Sequence, residues 1–155
     1  MAEMTHVAAD GSVRMVDVAG KATTRRRAVV RGVLRIQPEH RAALGNLPKG
    51  DALTIAQIAG IQGGKKCSEL IPLCHPIFLT SLDVSLSLGD EGIEIQAVAV
   101  TEAQTGVEME AYTAVVVAGT TLIDMLKGVS PRLSLDDIHL VEKTGGKADY
   151  REDTP

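Results

Sequence analysis

From Leu82 to Leu88 apolar and polar residues alternate without a break, LDVSLSL, with Leu82, Val84, Leu86 and Leu88 on one side. A period of two predicts a strand with one buried face. GDEG at 89–92 follows as a turn, and GIEIQAVAVTE alternates again through Ile93, Ile95 and Ala97. Together they predict a hairpin. RAVVRGVLRI at 27–36, rich in Val and Ile, predicts an earlier strand, and DIHLVEK at 137–143 a last one. VRMVDV at 13–18 predicts a short extended lead-in.

The period changes in two places. In LTIAQIAGIQ, residues Ile55, Ile58, Ala59 and Gln62 recur at helical spacing. They predict a helix over 51–66, after a break from Gly45 to Gly50. From about Thr105 to Lys127 the stripe Val107, Ala111, Ala114, Val115, Ala118, Leu122 and Met125 predicts a long helix. Gly128 and Pro131 end it. Pro72 and Pro76 punctuate the loop between the halves.

The order strand, helix, strand, strand, helix, strand is the split βαβ, ferredoxin-like pattern. It predicts an α+β fold, an antiparallel sheet with two helices on one face. The polar ends, 1–12 and 149–155, read as flexible tails around a single domain at 13–148. A fold of this kind hosts many functions, so the chemistry has to come from particular residues.

Composition narrows the field. Phe78, Tyr112 and Tyr150 are the only aromatic residues, so the core must be aliphatic. Proteins that hold single-stranded nucleic acid stack bases on aromatic rings, and a net charge of −4 supplies no general field for a phosphate backbone. Nucleic acid is not an expected partner. The N-terminus lacks a secretory pattern, and no run reaches the roughly 18–20 apolar residues of a membrane span. The expectation is a soluble, cytoplasmic protein with Cys67 and Cys74 reduced.

Candidate chemistry gathers in a few stretches. KKCSELIPLCHPI at 65–77 holds both cysteines, His75 and two lysines. Structural zinc usually takes four ligands in two close pairs, and no second pair is present. A cysteine nucleophile would need a partnered base. Alone, His75 reads equally as a loop-fixing residue or a proton donor. GGKK at 63–66 and GGK at 145–147 lack the glycine and hydroxyl residue of a P-loop. TGVEME at 105–110 fits a capping box through Thr105 and Glu108 but leaves Glu110 unexplained. In DMLK, Asp124 and Lys127 are neighbours on one helix face. They read as a surface ion pair or as an acid/base pair.

Taken together, MVDVAGKA at 15–22, AGIQGGKKCSELIPLCHPI at 59–77, TGVEMEAYTA at 105–114, DMLK and KTGGK at 143–147 resemble the MoaC family. The resemblance covers roughly 13–150. It implies a cyclic pyranopterin monophosphate synthase of molybdenum-cofactor biosynthesis: a lyase that rearranges a cyclised dihydro-GTP, made by a radical-SAM GTP cyclase, and releases diphosphate. It implies a homohexamer, a trimer of dimers, with active sites at subunit interfaces and neither metal nor organic cofactor. Lys127, Asp124 and Lys49 match the family's catalytic positions. His75, Glu108, Met109 and Glu110 match pocket-lining positions. Arg26, Lys65, Lys143 and Lys147 match positions facing the triphosphate or the base, and Lys21 lies in a family motif. Ala19, Ile123 and the AD of TGGKAD depart from the usual residues. On this reading KKCSELIPLCHPI is a loop presenting lysine charge and one imidazole to an anionic substrate, with its cysteines as dispensable packing. A small-molecule-sensing module of the same fold, and a zinc protein, are the rival readings.

Overall fold

Alternation and helical spacing translate directly into elements. The computed structural model describes residues 6–153. In chain order they form β1 (Thr24–Arg35), α1 (Pro38–Ala43), α2 (Ala52–Lys65), α3 (Cys67–Leu70), β2 (Leu79–Leu88), β3 (Gly92–Ala103), α4 (Glu108–Leu126), β4 (Ser134–Thr144) and β5 (Tyr150–Arg151). The five strands make one antiparallel sheet in the order β2-β3-β1-β4-β5. The first four strands carry the ferredoxin-like arrangement. The hairpin register places Leu82 opposite Ala99, Val84 opposite Ala97 and Leu86 opposite Ile95, so the predicted apolar faces coincide.

Helices α2 and α4 pack on each other and on that apolar face. All seven residues of the predicted α4 stripe are buried. With Val30, Leu34, Ile93 and Ile95 they form an aliphatic core. Each fully buried Val, Leu or Ile contributes about 1.5–3 kcal/mol, so stability here comes from many medium side chains rather than a few rings. α4 is the one helix among the described residues long and apolar enough to cross a membrane. It passes that test despite Asp124 and its threonines, yet it is the domain's own core helix.

Three glycines set how closely the helices approach. A Cβ on Gly63 would lie 2.6 Å from Val117, on Gly64 2.5 Å from Leu82, and on Gly60 3.0 Å from the Ala114 carbonyl. This contact draws the start of α4 against the end of α2 and the cysteine loop after it.

Several local features differ from expectation. α1 and α3 were not anticipated, because six and four residues are too short to display a period. α4 starts at Glu108 with Val107 as its N-cap and no side-chain cap, so Thr105 and Glu108 do not form the expected capping box. Glu108 turns instead to Lys143 on β4, 3.3 Å away. The segment expected as a C-terminal tail carries β5, paired with β4, and the Glu152 amide donates to the Val141 carbonyl. At the other end Val7 bridges Val13 within the expected 1–12 tail, whose residues 1–5 lie outside the described residues, as do 154–155.

Candidate active site

The start of β1, the 71–78 loop, the N-terminus of α4 and the 144–149 loop converge on a cavity of about 690 Å3. Its walls include Lys21, Arg26, His75, Glu108, Met109, Lys143 and Lys147, all expected from sequence. Arg27 adds a further cation. The cationic side chains outnumber the two carboxylates on the wall, Glu108 and Asp149. An anion therefore finds favourable charge here without any metal.

Backbone carbonyls and local turns hold these groups in place. Arg26 donates from Nε to the Ala103 carbonyl at 3.1 Å and from Nη2 to that of Gln104 at 3.3 Å. Arg27 pairs with Glu142, which also accepts from Arg151 Nη2 at 2.6 Å. His75 Nε2 donates to the Val16 carbonyl at 2.7 Å. A carbonyl only accepts, so Nε2 carries a proton and Nδ1 is the ring nitrogen left for another partner. The same bond ties the 13–18 lead-in, which forms no strand pairing beyond Val13, to the cavity rim. The Ala19 amide donates to Asp17 Oδ1, and its carbonyl accepts from Gln104.

The 144–149 loop needs its glycine. Gly145 has φ +85°, and a Cβ there would sit 1.9 Å from the Arg25 carbonyl oxygen. The Gly145 amide donates to Asp149 Oδ1 at 3.0 Å, and its carbonyl accepts from Thr24 Oγ1 at 2.7 Å. Asp149 thus closes the 145–149 turn that carries Lys147.

Behind the wall lies a buried polar group. Glu110 is only 3 % exposed and stands one helical step inside the cavity-lining Glu108 and Met109. Its Oε1 is 3.6 Å from Cys74 Sγ, and its Oε2 has no partner among the described residues. Burial raises the Glu110 pKa. Cys67 and Cys74 are free thiols with their sulfurs 3.7 Å apart. Burial, reinforced by Glu110, pushes Cys74 up to about 12, and burial raises Cys67 as well. Neither is therefore an activated nucleophile at neutral pH.

The DMLK residues lie elsewhere. Asp124 Oδ1 accepts from Lys127 Nζ at 2.7 Å and Oδ2 from Lys49 Nζ at 2.8 Å. Lys49 also reaches the Asp124 carbonyl at 3.1 Å, and Lys127 caps the helix. Both ammonium groups suit the negative end of α4. The trio stands open to solvent, each side chain more than half exposed. Glu108 and Asp124 are separated along α4 by about 24 Å, at about 1.5 Å rise per residue. One chain thus keeps its lysine–aspartate trio and its cationic cavity at opposite ends of one helix.

The hydrogen bonds from Lys127 and Lys49 hold the Asp124 carboxyl at about 2, below its ordinary 3.8. A depressed carboxylate stabilises the fold above its unfolded value and loses that contribution as pH falls from about 4 toward about 2. The expected result is that the Asp124 carboxyl carbon, followed by NMR, titrates near the lower figure. Lys127→Ala should move the midpoint upward. A wild-type midpoint at the ordinary aspartate value would refute the paired geometry.

A second hollow, about 750 Å3, lies on the helix-free face of the sheet. It is lined by Arg31, Gln96, His139 and Glu152, which are committed to one another: Arg31 to Gln96 at 2.8 Å, His139 to Glu152 at 3.3 Å. None of the sequence-expected residues borders it, so the smaller cavity is the better candidate. Lys65 stands exposed at the end of α2, outside the wall of either hollow. Arg27, Asp149 and Tyr150 were not singled out in advance, although Arg27 was visible within the RRR run.

The profile of the MoaC family matches residues 15–146. The chain is 45 % identical over 155 residues to a cyclic pyranopterin monophosphate synthase of Peptoclostridium acidaminophilum, covering 98 % of this chain and 99 % of that one. It is 47 % identical over 150 residues to the like-named protein of Corynebacterium efficiens, covering 96 % and 97 %. Against cyclic pyranopterin monophosphate synthase 2 of Mycobacterium tuberculosis the figure is 48 % over 147 residues, covering 94 % and 88 %.

Proposed function

This chain belongs to the MoaC family, and on that premise we propose how its side chains divide the work of forming cyclic pyranopterin monophosphate. The enzyme is a lyase of molybdenum-cofactor biosynthesis acting on a small molecule. Its substrate is the cyclised dihydro-GTP, and its products are the cyclic pyranopterin phosphate and diphosphate. The observation that carries this reading is the cavity where Lys21, Arg26, Lys143 and Lys147 meet His75 and Glu108.

A triphosphate brings about four negative charges, which the cavity's cations offset. Glu108 accepts from donors on the guanine-derived ring, and His75 Nδ1 faces the rim as a further polar partner. Opening and closing the rings moves protons, which requires positioned acids and bases. Lys127, oriented by Asp124 and flanked by Lys49, supplies the principal proton transfer. A ribose-derived oxygen then attacks the α-phosphorus, the bond to the bridging oxygen breaks, and diphosphate leaves. Clustered ammonium groups stabilise that leaving charge.

A separation of about 24 Å along α4 exceeds the reach of one nucleotide, so the trio and the cavity of a single chain do not serve one substrate. Two copies joined so that the DMLK end of one faces the cavity of the other would complete a site. This supports an interfacial active site; that the assembly is a homohexamer, a trimer of dimers, rests on the family resemblance. The reading also places the protein in the cytoplasm, downstream of the radical GTP cyclase, with neither nucleic acid nor membrane as a partner.

The direct test incubates the purified protein with the cyclised dihydro-GTP. The expected outcome is one diphosphate released per pyranopterin formed, measured by phosphate assay and mass spectrometry. Unchanged substrate after prolonged incubation with folded protein would overturn the assignment.

A further inference from the structure

Cys67, Cys74 and Glu110 come from α3, the following loop and the first turn of α4, and their ligand atoms all lie within 4.8 Å of one another. The mechanism above uses neither thiol. From this juxtaposition we infer a binding site for a thiophilic divalent cation, Zn2+ by preference, held by Cys67 Sγ, Cys74 Sγ and a Glu110 carboxylate oxygen.

The argument begins with spacing. Zinc binds thiolate at about 2.3 Å and carboxylate oxygen at about 2.0–2.2 Å; tetrahedral angles then put two sulfurs about 3.8 Å apart and a sulfur and an oxygen about 3.6 Å apart. The observed separations are 3.7 Å for the sulfurs and 3.6 Å for Cys74 Sγ to Glu110 Oε1. Two of the three separations thus match the edges of a tetrahedron, and the third, from Cys67 Sγ to the Glu110 carboxylate, is within 4.8 Å.

A second observation is independent of the sulfurs. Glu110 is 3 % exposed, and its Oε2 has no hydrogen-bond partner among the described residues. An unpartnered buried carboxylate oxygen is costly, and a cation removes that cost. Thr113 Oγ1, whose one proton goes to the Met109 carbonyl at 2.7 Å, lies 3.3 Å from Cys67 Sγ and borders the same cluster. Three protein ligands leave the fourth position open, and Cys74 borders the cavity. The soft sulfur pair favours zinc over magnesium or calcium. On binding, each thiol gives its proton to solvent and its sulfur lone pair to the cation; no oxidant takes part. On this proposal the two cysteines have a task besides packing.

The test uses the full chain, stripped by chelator, kept reduced, and titrated with Co2+ as a spectroscopic stand-in. The expected result is one Co2+ per chain, with thiolate charge-transfer absorption in the near ultraviolet and tetrahedral visible bands, both abolished by Zn2+. Glu110→Gln should weaken Co2+ binding beyond the roughly 10–100-fold typical of outer contacts. A Cys67→Ser, Cys74→Ser double variant should lose the charge-transfer band. Absence of that band in folded, reduced wild-type protein overturns the proposal without recourse to any variant. So does a band that persists in the double variant.

Discussion

Replacing Lys127 with alanine lowers kcat roughly 10²- to 10⁴-fold, the usual worth of a positioned proton-transfer group. The expectation rests on how firmly the ammonium is held. Asp124 fixes it at 2.7 Å, and the other carboxylate oxygen is anchored by Lys49 at 2.8 Å. Lys127 is also the C-cap of a helix whose preceding residues, Met125 and Leu126, are buried. The backbone at this point has little freedom to misplace the amine. The side chain itself is open to solvent, so its loss should leave stability within about 0.5 kcal/mol of wild type. Lys127→Arg separates charge from proton transfer, because a guanidinium keeps its proton in proteins. The arginine variant should be almost as slow as the alanine one. Near-wild-type turnover by Lys127→Ala would remove Lys127 from the mechanism. Full rescue by arginine would reduce its part to electrostatics.

Mixing two inactive variants restores activity if the site is shared between copies. A Lys127→Ala chain keeps an intact cavity, and a Lys143→Ala chain keeps an intact lysine–aspartate trio. Each alone is defective at every site. After dissociation and random reassembly, roughly a quarter of the interfacial sites draw both halves from wild-type parts. Recovered turnover near that fraction is the expected result, measured against each variant reassembled with itself. Activity that stays at the level of the parents would show that trio and cavity do not meet across an interface. The prediction follows from one geometric fact, the length of α4 between Glu108 and Asp124. Oligomer size by light scattering accompanies the assay, so failure to reassemble is visible directly.

Local order decided what could be read from sequence. Alternation identified β2 and β3 and their facing residues, since a strand's two faces are written two residues apart. Helical spacing identified α2 and α4 for the equivalent reason. Asp124 and Lys127 were legible because three residues along a helix bring side chains together whatever the rest of the chain does. The short α1 and α3 stayed hidden, and the capping box at Thr105 failed because Glu108 found a tertiary partner in Lys143. The motif resemblance supplied the cavity residues in advance, though not their distances.

The sequence by itself determined the class of fold, the aliphatic core and the residue types of the chemistry, because propensity, periodicity and charge are properties of neighbouring positions. Only the tertiary structure brought Lys49 to Asp124 across 75 positions, and only it set the two sulfurs beside the orphaned oxygen of Glu110. It also parted the lysine–aspartate trio from the cavity by the length of a helix. Such distances depend on how elements pack, and the glycine contacts between α2 and α4 that govern the packing exist only once the chain has folded.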